Sequence, residues 1–155
     1  MEKLSIIEKF LLVSQHPDKG RFIIPQMQLH YGLAGAILLE MSIEKRLKIE
    51  NKRLILIDNK PHSHPIFNMV IDTIRQSSKA RRIRYWINKL NRKAYKYKWA
   101  FMKDLEDKRI IRIEFKKFLG LIPYKKSYMI DSQMLIYLLC CRFLFLCKVL
   151  MLLSS

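Results

Sequence analysis

Four of the five residues at positions 32–36 are glycine or alanine, and this stretch constrains the fold more than any other feature of the sequence. It lies at the centre of residues 27–45, which are predicted to form one long α-helix. Small residues in a helix allow another backbone to approach closely. We therefore predict that this helix runs through the middle of the domain.

The composition is that of one folded domain with a hydrophobic core. The chain has 155 residues, half of them hydrophobic, with only 4 glycines and 5 prolines, which argues against disorder. The predicted fold class is mainly α, a compact multi-helix domain with two small β-hairpins. Helices are predicted at residues 3–14, 27–45, 66–74, 81–90 and 92–108. The first hairpin is predicted to pair 47–50 with 53–57 around Asn51-Lys52. The second is predicted to pair 110–115 with 118–122 around Lys116-Lys117, and residues 124–130 extend it. Residues 21–24 are a further short candidate strand.

One long segment of the chain is basic and contains no acidic residue. The eleven basic residues from Thr73 to Lys103 belong to a chain of formal net charge +17; they are Arg75, Lys79, Arg81, Arg82, Arg84, Lys89, Arg92, Lys93, Lys96, Lys98 and Lys103. Such a run repels itself and favours a polyanionic partner, either a phospholipid surface or a nucleic acid. The simpler alternative is a solvated helix face. Aromatic residues in the segment could stack on bases, although Trp86 is in phase with Ile83 and Leu90 and is expected in the core.

No catalytic constellation is evident, so we expect that the chain is not an enzyme. The four histidines are scattered. His62 and His64 fall in a predicted loop, which we expect to be solvated, without nearby cysteine or paired carboxylates at ligand spacing. Gly32 and Gly35 lie inside a helical pattern rather than after a strand, which argues against a phosphate-binding loop. Neither a metal ion nor another cofactor is expected.

The cysteines and the N-terminus favour a cytoplasmic location. Cys140, Cys141 and Cys147 make an odd number in one apolar segment, which is typical of reduced thiols rather than of a disulfide framework. Residues 1–15 contain Glu2 and Glu8 within their apolar pattern, and the hydrophobic part of a signal peptide does not tolerate such charges.

Several motifs resemble the Golgi phosphoprotein 3 family in order and spacing. They are the segment YGLAGAILLEM at 31–41, Arg46-Leu47 with the first hairpin, Asp58, the 65–74 helix, LEDKRII at 105–111 and FLGLIPYK at 118–125. The resemblance covers roughly residues 3–131, which we expect to be one domain. The chain is similar to bacterial members, because it starts at the domain without the basic tail that precedes it in eukaryotic relatives.

The resemblance implies a mostly helical cytosolic domain that docks on membranes. Eukaryotic members recognise phosphatidylinositol 4-phosphate and act as adaptors for Golgi glycosyltransferases. Their headgroup pocket uses a tryptophan, an arginine in the small-residue helix and two basic residues a turn apart on a later helix. Those positions correspond here to Pro25, Ala34, Tyr95 and Lys98, so only Lys98 keeps its charge. General attraction to acidic lipid is still expected despite these three substitutions, because it needs charge rather than a shaped pocket.

The expected site therefore has two parts. The residues expected to contact lipid phosphates are Lys98, Lys96, Lys93 and Arg92, with Arg81, Arg82 and Arg84 adding diffuse attraction. The family also implies membrane insertion or self-association through the second hairpin, whose membrane-facing residues would be Phe115, Lys116, Lys117, Phe118 and Leu119. The alternative for that hairpin is packing on the domain. The alternative functions are nucleic-acid binding through the same helices and a protein-interaction adaptor.

Residues 132–155 form a hydrophobic segment to which the resemblance does not extend. Residues 134–153 include only two charged residues, Arg142 and Lys148, and twenty residues is transmembrane length. Twelve strongly apolar side chains contribute roughly −5 kcal/mol and two central cations roughly +6 kcal/mol, which makes insertion marginal. The segment is a buried helix, a tail that touches membrane, or the product of a frameshift or truncation. The abrupt change in composition favours the last interpretation.

Overall fold

The computed structural model describes residues 4–16 and 18–130, and this part combines five helices with two small antiparallel sheets. A mixed helix and sheet architecture therefore replaces the predicted mainly α class, while the helical core is as expected. The strands β4 and β5 have eight residues each and form one continuous pair, where the sequence pattern indicated a shorter hairpin followed by a separate extension. The elements are α1 (Ile6–Val13), α2 (Gln26–Ile43), β1 (Leu47–Glu50), β2 (Arg53–Leu56), α3 (Pro65–Arg75), β3 (Arg81–Arg82), α4 (Ile83–Asn91), α5 (Ala94–Asp107), β4 (Ile111–Phe118) and β5 (Ile122–Met129).

The helix α2 lies at the centre of the domain, as its small residues predicted. It packs against α1, α4, α5 and β1, and Leu33, Ala34 and Ile37 are fully buried. The close neighbour at Gly32 is a side chain rather than a backbone, because the ring of Phe10 occupies the space that a Cβ atom would need. The small residue therefore lets α1 pack directly on α2.

The first hairpin has its turn where the sequence placed it, but the sheet gains a third strand. Asn51 and Lys52 have φ angles of 50° and 61°, the left-handed pair that a two-residue hairpin loop requires. On the other side of β2, Arg53 pairs with Arg82 and Leu54 with Arg81. The prediction that helix α4 includes Arg81 and Arg82 is therefore wrong, because these residues form β3 and the helix begins at Ile83.

The second hairpin turns later than predicted. Lys116 and Lys117 lie inside β4, opposite Tyr124 and Pro123. The turn is at Leu119 and Gly120, whose φ angles are 49° and 72°, and the Leu121 amide donates to the Phe118 carbonyl oxygen at 3.1 Å. The turn predicted at Lys116-Lys117 is therefore wrong, since glycine supplies the left-handed conformation that a lysine adopts less readily.

His62 and His64 lie in a loop, as predicted, but the expectation that this loop is solvated is wrong, since both side chains are half-buried. His64 caps α3: its Nδ1 accepts a hydrogen bond from the Ile66 amide at 3.2 Å. Its Nε2 lies 2.7 Å from the Asp104 carboxylate, and its ring stacks on Phe101 at 4.5 Å between centroids. His62 Nδ1 accepts from the His64 amide at 2.8 Å. The two histidines therefore fix the start of α3 against α5.

The segment between α1 and α2 folds back across β5. The His16 amide donates to the Arg21 carbonyl at 2.7 Å and the Ile23 amide to the Ser14 carbonyl at 2.8 Å. This pairing is an isolated bridge between Gln15 and Phe22, so the candidate strand at 21–24 is not a full strand. Gln15 Nε2 also donates to the Ser127 carbonyl oxygen. These contacts bring the segment before α2 next to the second hairpin.

Across residues 4–16 and 18–130, none of the helices combines the length and the apolar character needed to cross a bilayer. The segment 132–155, with its alternative interpretations, lies outside the described residues. The boundary expected at residue 131 therefore stays a prediction.

Candidate anion-binding pocket around Lys98

A pocket of about 370 Å³ lies where α5, the segment before α2 and the start of β5 meet. Its lining is mostly aromatic and apolar, with two lysines and no acidic residue. The residues that line it are Phe22, Ile24, Gln26, Leu29, Tyr95, Lys98, Trp99, Pro123, Tyr124 and Lys125. Because they come from three separate parts of the chain, the pocket exists only in the folded domain.

Lys98 is a buried cation whose Nζ has no hydrogen bond or ion pair within the described part of the chain. Its side chain lies on the inward face of α5 and the residue is only 7% exposed. The Nζ atom instead lies 4.9 Å from the centroid of the Trp99 ring, 5.1 Å from that of Tyr95 and 5.2 Å from that of Phe22. Aromatic faces attract a cation, but they do not replace a carboxylate or water.

Burial lowers the pKa of Lys98 below its ordinary value. An ammonium group that loses its water costs free energy unless an opposite charge replaces that water. The pocket lining provides no such charge. An anion that enters the pocket and contacts Nζ would therefore offset this desolvation cost.

Lys125 adds a second positive charge at the mouth of the pocket. Its exposed Nζ lies 5.0 Å from the centroid of Trp99 and 5.1 Å from that of Phe115. Trp99 therefore has an ammonium group from α5 and another from β5 close to one ring. The indole Nε1 of Trp99 is buried without a hydrogen-bond acceptor in the described structure. The arrangement suits a ligand with negative charge and acceptor oxygens.

The pKa of His30 on α2 is affected by burial and by the positive charge of Lys98. Burial, followed by the positive charge of Lys98, lowers the pKa of His30 below its ordinary value. Both causes favour the neutral ring at pH 7. The buried Nε2 of this ring also has no partner among the described residues.

The tip of the second hairpin exposes large apolar side chains beside this pocket. Phe115 is 76% exposed, Leu119 81% and Leu121 83%, and Phe118 and Ile122 are also exposed. The alternative that this tip packs on the domain is therefore wrong. Lys116 and Lys117 are exposed on β4 among these side chains, and Lys116 Nζ lies 3.3 Å from the Tyr128 hydroxyl and 3.3 Å from a Glu114 carboxylate oxygen.

The seven predicted phosphate contacts do not form one cluster. Only Lys98 lines the pocket. The other six are exposed: Arg92, Lys93 and Lys96 at the start of α5, and Arg81, Arg82 and Arg84 around the start of α4. The exposed residues provide positive surface, whereas Lys98 provides a contact point inside the domain.

The sequence interpretation missed Phe22, Trp99, Tyr124 and Lys125 as parts of the site. No local pattern connects them, because they come together only through packing between distant segments. Burial of Lys98 did have a signal, since it lies four residues after Ala94 and three before Phe101 on the apolar face of α5.

The positions that align with the family's headgroup pocket are only partly at this site. Tyr95 and Lys98 both line it, and Pro25 lies between the lining residues Ile24 and Gln26. Ala34, which takes the place of the family's arginine, is fully buried in the core. The pocket lining therefore includes two of the four aligned positions, and a third, Pro25, adjoins it in the chain.

A larger depression of about 710 Å³ lies on another part of the surface and has the opposite charge. The acidic residues that line it are Glu8, Glu40, Glu44, Asp104 and Asp107. Lys108 pairs with Glu8 at 2.8 Å, but carboxylates predominate and repel anions. Among the described residues, no group of three or more histidine, cysteine or acidic side chains is arranged to hold a metal ion.

Comparison with known proteins supports the sequence resemblance. The family model described as Golgi phosphoprotein 3 (GPP34) matches residues 6–134. That match includes every residue of the pocket and both hairpins. No curated protein matches the chain.

Proposed function

The chain belongs to the Golgi phosphoprotein 3 family, and on that basis we propose that it is a non-enzymatic peripheral membrane protein that binds anionic phospholipid. The lipid phosphate contacts Lys98 in the aromatic pocket, and the headgroup is of the phosphatidylinositol 4-phosphate kind. The tip of the second hairpin enters the interfacial region of the bilayer. Exposed basic residues attract the protein to the membrane surface.

The observation that carries this proposal is the buried Lys98 ammonium without an opposite charge in its pocket. A hydrogen bond between charged groups contributes about 1.5–3 kcal/mol. A phosphate group supplies this bond at Lys98, and the remaining negative charge of a lipid headgroup is attracted by Lys125 at the mouth of the pocket. Lysine binds phosphate as a point charge, so the pocket does not need the planar fork of an arginine.

The position of the hairpin explains how the pocket meets a membrane. Lys125 connects the two features, because its Nζ lies near both Trp99 at the pocket and Phe115 on the hairpin. Full burial of an apolar side chain such as Leu119 contributes about 1.5–3 kcal/mol. Apolar side chains flanked by Lys116 and Lys117 match the boundary between headgroups and acyl chains.

The exposed cations add a longer-range attraction. Each lysine or arginine near an acidic bilayer contributes about 1 kcal/mol. Lys96 is exposed on the helix that carries Lys98, and Arg92 and Lys93 are exposed immediately before that helix. Engagement of these three residues would contribute about as much as the headgroup contact itself.

Vesicle flotation tests the proposal with two substitutions on one helix. The full-length protein should float with vesicles containing phosphatidylserine or phosphatidylinositol 4-phosphate at low salt, and not with neutral phosphatidylcholine vesicles. Lys98→Glu and Lys96→Glu both reverse one charge, but only Lys98 lies in the pocket. We expect Lys98→Glu to cause the larger loss for phosphatidylinositol 4-phosphate vesicles. Equal recovery with neutral and anionic vesicles would overturn the proposal.

Binding of single-stranded nucleic acid is a second candidate, because Tyr85 is exposed between two cations. The Arg81 guanidinium lies 5.3 Å from its ring centroid and the Lys89 Nζ lies 5.7 Å away. Such an aromatic ring is a possible stacking platform for a base. Competition between anionic vesicles and excess oligonucleotide distinguishes the two functions by the ligand that retains the protein.

A further inference from the structure

The environment of Lys98 also has the features of a reactive amine. Lysine acts as a nucleophile only in its neutral form, and desolvation in an apolar pocket is one of the ways in which proteins favour that form. Lys98 is 7% exposed and surrounded by Phe22, Tyr95 and Trp99. Burial lowers its pKa, and no carboxylate lines the pocket to hold the proton on Nζ.

The same pocket has room and charge for a small anionic reagent. Its volume is about 370 Å³, and Lys98 and Lys125 both line it. The two Nζ atoms lie 4.9 Å and 5.0 Å from the centroid of the Trp99 ring, so they are no more than about 10 Å apart. A phosphate held at the exposed Lys125 would place the remainder of a short molecule next to Lys98.

We propose that Lys98 forms a Schiff base with small phosphorylated aldehydes that enter this pocket. The lone pair of the neutral amine attacks the carbonyl carbon and forms the C–N bond, while a proton moves from nitrogen to the former carbonyl oxygen. A second proton then reaches that hydroxyl group, the C–O bond breaks and water leaves, and the nitrogen gives up its remaining proton to leave a neutral imine. No oxidant or reductant takes part, and water is the only other product.

This reaction requires the pocket but not a membrane, so it goes beyond the proposed function and can be tested separately. Lipid phosphate at Lys98 would favour the ammonium form and block the pocket. The covalent reaction and lipid binding are therefore mutually exclusive events at one side chain. Inorganic phosphate should protect Lys98 from the aldehyde for the same reason.

Pyridoxal 5′-phosphate is a suitable probe for the full-length chain. Borohydride added at intervals traps the imine, and peptide mass spectrometry measures the label at each lysine. Lys103 and Lys96 on the same helix are internal controls. Lys96 is exposed, and hydrogen bonds to Asp107 and Glu106 raise the pKa of Lys103.

We expect Lys98 to be labelled faster than Lys103, because burial lowers the pKa of Lys98 whereas hydrogen bonds raise that of Lys103, so a larger fraction of Lys98 is free amine. Lys98→Arg keeps the cation but removes the nucleophile, so the label should be lost from this position only. Lys125→Met should slow labelling by pyridoxal 5′-phosphate at Lys98 but not labelling by pyridoxal, which has no phosphate. Labelling of Lys98 at or below the rate of Lys103 in the folded protein would overturn the inference.

Discussion

Replacing Lys98 with methionine should stabilise the fold and weaken binding to anionic vesicles at the same time. Methionine has a similar length and flexibility, so it fills the space between Phe22, Tyr95 and Trp99 without bringing a charge there. The folded protein no longer has to bury an unpaired ammonium group. The membrane-bound protein loses its headgroup contact.

The effect on stability is the difference between two terms. Taking an ammonium group out of water costs several kcal/mol, and the three ring contacts each return about 0.5–2 kcal/mol. We expect a net gain of about 1 kcal/mol for Lys98→Met, which raises the melting temperature by about 4 °C in a domain of this size.

The stability gain should depend on pH with a defined sign. The pKa of Lys98 is lowered in the folded state from an ordinary value of 10.5, so the unfolded chain binds more protons at pH values between the two. Wild-type stability therefore rises with pH through that window. Among the described residues, the other titratable side chains around Lys98 are His30, Lys125, Tyr95 and Tyr124, and none of them carries a carboxyl group. The advantage of methionine is greatest at pH values below the lowered pKa and shrinks towards pH 10.5.

Thermal unfolding and vesicle co-sedimentation of the same samples measure the two effects. Loss of a charged hydrogen bond should weaken binding by about 1.5–3 kcal/mol, or roughly 10- to 150-fold. Lys96→Met is the matched control, since Lys96 is exposed on the same helix; it should leave the melting temperature unchanged and cost about 1 kcal/mol of binding. A Lys98→Met protein that melts lower than wild type and binds vesicles equally well would refute the reasoning.

Two further predictions concern the hairpin and the central helix. The double variant Leu119→Ser, Leu121→Ser should reduce vesicle recovery without lowering the melting temperature, because both side chains are more than 80% exposed. The control is Ile57→Ser, which changes an exposed apolar residue elsewhere and should leave recovery unchanged. Gly32→Ala should lower the free energy of unfolding by about 1–3 kcal/mol, because its Cβ meets a phenylalanine ring. Gly35→Ala has open space and should raise the free energy of unfolding by about 0.5–1 kcal/mol. Equal melting temperatures for the two alanine variants would contradict this difference.

The sequence predicts elements whose apolar residues repeat along one helix or strand. The central position of α2 followed from its small side chains, and the hairpin turn at Asn51-Lys52 followed from local turn preference; both were confirmed. The strand formed by Arg81 and Arg82 had no such signal. Two residues are too short to show a period, and their pairing with β2 depends on the position of that hairpin in the folded domain.

The candidate site was predictable only in part for the same reason. Positive charge and the position of Lys98 were visible in the sequence, and its helical phase with Ala94 and Phe101 indicated an inward side chain. The role of Trp99 and Lys125 was not visible, since one lies on α5 and the other on β5. The turn at Leu119 and Gly120 could have been predicted from the glycine, which favours a left-handed conformation. The polar pair Lys116-Lys117 was chosen as the turn instead.

The exposed cations of this protein interact over a longer range than the buried Lys98 does. Exposed residues such as Arg84 and Lys96 act through water, where salt screens them beyond about 8–10 Å. They can orient the domain towards an acidic surface, but they give little discrimination between headgroups. Lys98 acts only at contact, because its side chain is buried among aromatic rings, where screening by salt is weaker than at the surface. In the proposed function, attraction to a bilayer and selection of a ligand therefore belong to different side chains, and only the second depends on how α5, β5 and the segment before α2 pack together.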